Sequence, residues 1–275
     1  MKPKFITLIN DCKDDNAKSR QTTRWSALFP SINVSFVGVD SSLGKNSTIE
    51  AAGNIIDILD ASMHEPGILA VNVAPRGTKT DGENGSSFCY FWIGNVLVVS
   101  TVKDYNLSLV KKFGMVKNIN ILDIPTILKK LVKAQLVSRQ LAEHISKSQF
   151  RSFDFQPRVA KWICDGVDVP SKKIPIKTIS DIPQSAWCID SFGNIKLTLT
   201  AQDFCSSTPP CIIKTSIGVF KYYKHLKDVP DGDTAIYIGS SGWKKHRFLE
   251  LATQNRKPGA AKKLGVKIGS EINIL

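Results

Sequence analysis

A chain of 275 residues, 42% hydrophobic and 22% charged, is long enough to bury a sizeable core and to divide into two modest domains. Its six cysteines (Cys12, Cys89, Cys164, Cys188, Cys205, Cys211) form no CxxC pair, which argues against a zinc ribbon or a disulfide framework and for reduced thiols in a cytoplasmic protein. The net charge of +13 would attract anions, but Lys111-Lys112, Lys129-Lys130, Lys172-Lys173, Lys244 to Arg247 and Lys262-Lys263 are short clusters divided by neutral sequence, the pattern of solvated faces rather than of one nucleic-acid stripe.

Phe5 to Asn10 is strand-like and lacks the long apolar core and cleavage site of a signal peptide. Asp11 follows directly, at the strand end where open α/β sheets place ligand-binding residues. A helix over Asp15 to Leu28, closed by Pro30, and a strand over Val34 to Val39 come next. Ser47-Thr48-Ile49-Glu50 has capping-box spacing, and Ile49, Ala52, Ile56 and Leu59 recur behind it at helical intervals. Pro66-Gly67 precedes a third strand, Ile68 to Val73.

Arg76 to Ser87, rich in Gly, Thr, Asp, Asn and Ser without periodicity, is expected as a mobile loop at a sheet edge, bordering a site. Phe88 to Ile93 and Val96 to Val102 read as strands joined at Gly94-Asn95; this most apolar stretch is too short and too broken to cross a bilayer, so a soluble protein is expected. Helices are predicted over Pro125 to Ala134 and Val137 to Ser146, and another opens at Pro157 and ends near Cys164.

This alternation predicts an α/β fold with a largely parallel sheet over residues 1–168. Residues 169–184 lack helical period and read as a linker. From 185 to 275 the strands are short and closely spaced: Trp187 to Asp190, Ile195 to Thr200, Cys211 to Thr215, Gly218 to Tyr222, Thr234 to Ile238, Phe248 to Ala252 and Glu271 to Ile274. They predict a small β-barrel domain.

Just past the linker, Ile189-Asp190-Ser191-Phe192-Gly193-Asn194 gathers an anion, a flat apolar face, a permissive backbone and an amide that both donates and accepts. That group suits an adenine edge beside a cationic amine. The same residues also suit a plain turn between two strands.

Three further stretches accompany it. They are Leu8-Ile9-Asn10-Asp11 with Asp15; Glu50-Ala51-Ala52 followed by Val71 to Gly77 (VNVAPRG); and Ile236 to Gly242 (IYIGSSG), continued by Phe248 to Ala252, Ala260-Ala261, Leu264-Gly265 and Gly269. Together the four resemble the S-adenosyl-L-methionine hydroxide adenosyltransferases, adenosine-forming hydrolases grouped with the bacterial fluorinase and chlorinase, collinearly over almost the whole chain. The resemblance implies an α/β domain, a β-barrel domain and a homotrimer with sites between subunits, in which a nucleophile attacks C5′ of S-adenosylmethionine and displaces methionine.

It further implies that Asp11 holds the ribose hydroxyls, Asp190 pairs with the methionine ammonium, Phe192 packs on the purine and Asn194 reads the adenine edge. Ser240 and Ser241 would bind the amino-acid moiety, and the backbone near Ala252 and Thr253 would contact adenine. Glu250 is either another contact or an exposed barrel residue. S-adenosylmethionine enters as substrate or ligand, and no cofactor is implied.

The chain departs from the family where the hydrolases activate water. Ala74 stands at the aspartate position and Arg151 at the histidine position, and neither serves as a general base. Arg76 lies near the usual arginine, and Ser152 falls where the fluorinase has a serine, so Arg76, Arg151 and Ser152 are the catalytic candidates, for hydroxide or for a halide. A homologue that binds without turnover is the alternative; Asp40 and Asp154 are bases only from shifted positions. Trp243 to Arg247 is an insertion expected as a solvated loop, with a phosphate or acidic-partner contact, Trp243 stacking, as its functional reading. His64, His144, His225 and His246 form no pair with metal-ligand spacing, so no metal is expected.

Overall fold

The computed structural model describes residues 1–75, 85–204, 209–255 and 257–275. The chain opens with β1 (Phe5–Asn10), α1 (Asp15–Leu28), β2 (Asn33–Gly38), α2 (Ser47–Ala61) and β3 (Gly67–Asn72). It continues through the hairpin of β4 (Phe88–Ile93) and β5 (Val96–Thr101), the short α3 (Ser108–Lys112), β6 (Asn118–Leu122), α4 (Ile124–Lys133), α5 (Arg139–Lys147), α6 (Arg151–Asp154), α7 (Gln156–Cys164) and β7 (Lys172–Pro175). Its strands form one seven-stranded sheet in the order β2-β1-β3-β5-β4-β6-β7.

The first four strands of that order run parallel, and β4, β6 and β7 each pair antiparallel. Both faces are covered. One packs Ile9, Leu69, Val71 and Val98 against Ile49, Ile55, Ile56 and Leu59 of α2; the other packs Ile6, Leu8, Ile68 and Leu97 against Trp25, Ile127, Leu131 and Val159 of α1, α4 and α7. Each such buried aliphatic side chain contributes roughly 1.5–3 kcal/mol. Below the sheet, the Gln156 amide donates to the carbonyls of Val71 and Val99 at 3.0 and 2.9 Å, fixing α7 beneath β3 and β5.

The second half comprises β8 (Ala186–Ile189), β9 (Ile195–Thr200), β10 (Cys211–Thr215), β11 (Gly218–Tyr223), β12 (Thr234–Trp243), β13 (His246–Thr253) and α8 (Ala260–Leu264). Its six strands form a second sheet in the order β10-β11-β12-β13-β9-β8. Glu271 to Ile274, expected as a strand, instead makes two isolated pairings, Glu271 with Ser185 and Ile274 with Thr215. With the bonds from the Ile272 amide to the Gln184 carbonyl and from the Leu275 amide to the Lys214 carbonyl, this tail spans the two open edges and closes the sheet into a barrel.

Several expectations change. The capping box at Ser47 does not form: a 3-10 turn over Ser41–Asn46 leads into α2, the Ser47 hydroxyl donates back to the Gly44 carbonyl, and Glu50 accepts instead from the Asp40 amide at 3.2 Å. The stretch 169–184 is not free of regular structure, because β7 pairs with β6 and the following turn buries Ile176. Trp243 to Arg247 is not a solvated loop. Trp243 pairs with His246 and Gly242 with Arg247, so β12 and β13 extend past the bulge between Ile238 and Gly242 and turn at Lys244-Lys245.

That extension docks on α2. Arg247 donates to Asp60 at 2.7 Å, the Gly242 amide donates to Asp57 at 3.1 Å, and Lys196 of β9 approaches the other Asp57 oxygen at 3.3 Å. At Gly53 the indole of Trp187 fits so closely that a Cβ would lie 2.1 Å from it. Trp187 and Phe248 thereby join the core cluster built around α2, and one helix serves both sheets.

Candidate functional site

The chain leaves β1 toward β2 on one side, and β3 enters on the other, so the gap between the carboxyl ends of β1 and β3 is a topological switch point of the kind that binds ligands. Asp11 stands there. Its carboxylate accepts from the Ala74 amide beyond β3 at 2.8 Å, and its own amide donates to the Asn72 carbonyl at 3.2 Å. The floor is built of amides: Asn10 donates to Gln21 at 2.7 Å and accepts from Asn72 and from the Cys12 amide. Behind it, Thr101 and Asn106 both donate to the Val73 carbonyl, fixing the chain as far as the site. Arg76 and most of the loop expected after it lie outside the described residues.

At the barrel, Asp190 to Asn194 is a tight turn between β8 and β9, with Gly193 at φ +82°. One Asp190 oxygen accepts from the amides of Phe192 and Asn194, and the other from the Asn194 side chain, all at 2.9 Å. A carboxylate has about four lone-pair positions, so three bonds leave room for one cationic donor. Phe192 is 81% exposed, a large aromatic side chain turned out to solvent.

The turn rests on the start of α8. The Ala261 amide donates to the Gly193 carbonyl at 2.9 Å, and a Cβ at Gly259 would come within 2.3 Å of the Phe192 carbonyl oxygen. Two stretches far apart in the sequence therefore shape one loop. The support from Gly259 and Ala261 was not read from the sequence, although the Gly-Ala-Ala run was its available signal.

Glu250 is not an exposed barrel residue: it is 7% exposed and accepts from the Tyr237 hydroxyl at 2.6 Å. Gly239 makes room for it, since a Cβ there would sit 2.4 Å from its oxygen. Burial raises the Glu250 carboxyl above its ordinary value, against the help of Tyr237 and Lys196 and with the repulsion of Asp190 and Asp57. Burial and the Glu250 charge likewise push the Tyr237 hydroxyl up.

Ser240 and Ser241 lie in the bulge of β12, with Ser240 exposed and the Ser241 hydroxyl buried without a hydrogen-bond partner. Such an orphan hydroxyl is costly unless a ligand meets it. Thr253 closes β13, its hydroxyl 2.8 Å from that of Thr234.

Of the catalytic candidates, Arg151 and Ser152 belong to α6 in the first half of the chain. Arg151 opens α6, donates to the Ser86 carbonyl at 2.8 Å and lies over the Phe88 ring, and burial lowers its pKa. It borders a cleft of about 630 Å³ between α4, α5 and the strand start at Phe88. Ser152 is 3% exposed.

Both residues named as shifted bases accept local hydrogen bonds. Asp154 accepts from Ser148 and Arg24, and although burial opposes its ionisation, Ser148, His144 and Arg24 hold its carboxyl below the usual carboxylate range. Asp40 accepts from the Ser42 amide at the 3-10 turn, a bond that lowers its carboxyl too.

The architecture is a parallel-centred α/β sheet followed by a closed β-barrel. Residues 185–273, the barrel, match the family model for the SAM hydroxide adenosyltransferase C-terminal domain. Across the whole chain the fold is similar to an uncharacterized conserved protein from Thermotoga maritima, with TM-score 0.68 and 18% identity over 98% of this chain and 100% of that one. It is also similar to a conserved hypothetical protein from Thermus thermophilus, with TM-score 0.57 and 15% identity over 100% of each. No curated protein matches the chain. Among the described residues no helix is long and apolar enough to cross a membrane.

Proposed function

We propose that the protein binds S-adenosylmethionine and cleaves it at C5′ with water, releasing adenosine and methionine. The observation that carries this reading is the Asp190–Asn194 turn, preformed on α8 within a barrel that matches the adenosyltransferase C-terminal model. Asp190 takes the methionine ammonium on its remaining lone pair, Phe192 covers the purine, and Asn194 offers its second N–H and its carbonyl to the adenine edge. Ser241 gives its unpartnered hydroxyl, with Ser240, to the amino-acid moiety. Asp11, at the switch point, holds the ribose hydroxyls, and Glu250 and Thr253 flank the barrel side of the ligand.

Bond breaking at C5′ turns a sulfonium into a neutral thioether, so an aimed and dehydrated nucleophile does most of the work. Arg76, Arg151 and Ser152 are the groups that would hold hydroxide, or a halide in the transferase variant of the same chemistry. The family resemblance supports a site completed between neighbouring copies in a homotrimer, with the Asp11 group on one sheet and the Asp190 group on the other.

A second reading, binding without turnover, is favoured by Ala74 and Arg151 at the positions of the missing base. The test is incubation with S-adenosylmethionine, with and without chloride, followed by nucleoside chromatography and calorimetric titration. Adenosine beyond one equivalent supports hydrolysis, a chloride-dependent nucleoside supports halide transfer, and binding with no new nucleoside supports the second reading. Absence of binding overturns all three.

A further inference from the structure

A pocket lies where the extended β12–β13 hairpin meets the first sheet. The hairpin tip, the turn that follows α2 at His64, the β4–β5 turn at Gly94 and the turn after α3 at Gly114 line a space of about 550 Å³. The volume falls in the range of small-molecule sites. The working side chains are His64, Phe113, Trp243, Lys244, Lys245 and His246.

The aromatic rings are ordered in pairs. His64 meets Trp243 edge-on at 5.9 Å, and His246 stacks on Phe113 at 5.5 Å with planes 17° apart. Asn95 holds the His64 carbonyl at 3.1 Å, and Asp60 holds Lys244 by its amide and Arg247 by its guanidinium. No carboxylate lines the pocket among the described residues, whereas Lys244 and Lys245 stand exposed at its mouth. A cationic ligand is therefore disfavoured, and a flat ligand that carries negative charge is matched on both counts.

The backbone is also unusual here. Met63, His64 and Lys244 have φ of +49°, +64° and +52°, non-glycine residues in the left-handed region that converge on one place. Such residues persist where surrounding structure holds them, and they gather at ligand sites.

We propose that this pocket binds a nucleotide unit, its base among Trp243, Phe113 and the two histidines and its phosphate on Lys244 and Lys245. The site is independent of the S-adenosylmethionine reading. The shared chemistry, base plus phosphate, has two sources, a free nucleotide or a residue of a single-stranded nucleic acid.

Thymidine compounds separate this site from one that reads adenine. Wild-type protein is titrated with dTTP and with a fluorescein-labelled hexathymidylate, and thymidine and tripolyphosphate supply the base and the phosphate alone. dTTP is expected to bind, and either fragment alone to bind much more weakly. Hexathymidylate that binds tighter than dTTP identifies a nucleic-acid strand as the source; equal or weaker binding identifies the free nucleotide.

The double variant Lys244→Gln/Lys245→Gln, at an exposed turn, is expected to weaken dTTP about tenfold and to flatten the salt dependence, as removal of phosphate contacts does. Trp243→Phe tests the stacking partner while keeping an aromatic ring against α2. Unchanged dTTP affinity in the lysine variant, or no dTTP binding to wild type, overturns the proposal. Adenosine release from S-adenosylmethionine is measured in parallel and is expected to be unaffected by the lysine variant, so failure at one site is distinguishable from failure at the other.

Discussion

Asp190 accepts its hydrogen bonds from its own turn before any ligand arrives. Asp190→Asn keeps one oxygen for the amides of Phe192 and Asn194 but removes the charge and the acceptor for the Asn194 side chain. It is expected to weaken S-adenosylmethionine by about 1.5–3 kcal/mol, the worth of a charge-assisted hydrogen bond, and to lower the melting temperature by the loss of the Asn194 bond. Unchanged affinity in calorimetry would place the ammonium elsewhere. Glu250 gives a pH test. Its carboxyl is raised in the fold, so the stabilisation from holding the proton is complete below the ordinary glutamate value of 4.5 and is lost as pH rises through the folded value. Glu250→Gln, which still accepts from Tyr237, should melt higher than wild type near pH 7, and the gap should close in acid. Asp190 and Asn194 were legible in the sequence because turn residues carry their geometry locally; the burial of Glu250 was not, since it depends on Gly239 and Tyr237 of a neighbouring strand.

At the level of elements, long periodic stretches were read closely. The helix predicted over Asp15 to Leu28 coincides with α1, and Ile195 to Thr200 and Cys211 to Thr215 are β9 and β10 as expected. What escaped was short or settled by distant partners: β6, whose asparagines interrupt its apolar run; β7, an edge strand rich in lysine; and the outer ends of β12 and β13, which are stabilised by α2 rather than by their own sequence. The capping-box spacing at Ser47 misled because the preceding 3-10 turn already satisfied the start of α2. Gly53 tests the fit of α2. Alanine there gains up to about 1 kcal/mol of helix propensity, but its Cβ would overlap the buried Trp187 ring, and overpacking costs about 1–3 kcal/mol or more. Gly53→Ala is therefore expected to lower stability in urea unfolding, and a gain would mean that the indole can retreat.

Over the whole molecule, both halves of the fold follow from the order of strands and helices, whereas the contact between them does not, because a sequence read element by element does not show which surface meets which. The assembly is similarly hidden. Light scattering is expected to give the mass of three 30.3 kDa chains, and a monomer that still cleaves S-adenosylmethionine would remove the proposal of sites between subunits. The sharing of α2 has a consequence for modularity. Its notch at Gly53 and its carboxylates at Asp57 and Asp60 are shaped for this barrel, so a chimera that grafts a relative's barrel onto this α/β half inherits an empty notch and two half-buried acids without their Lys196 and Arg247. The unit that recombination can exchange is the barrel together with the side of α2 that it covers, and a crossover placed at the junction between the two sheets would cut through the middle of it.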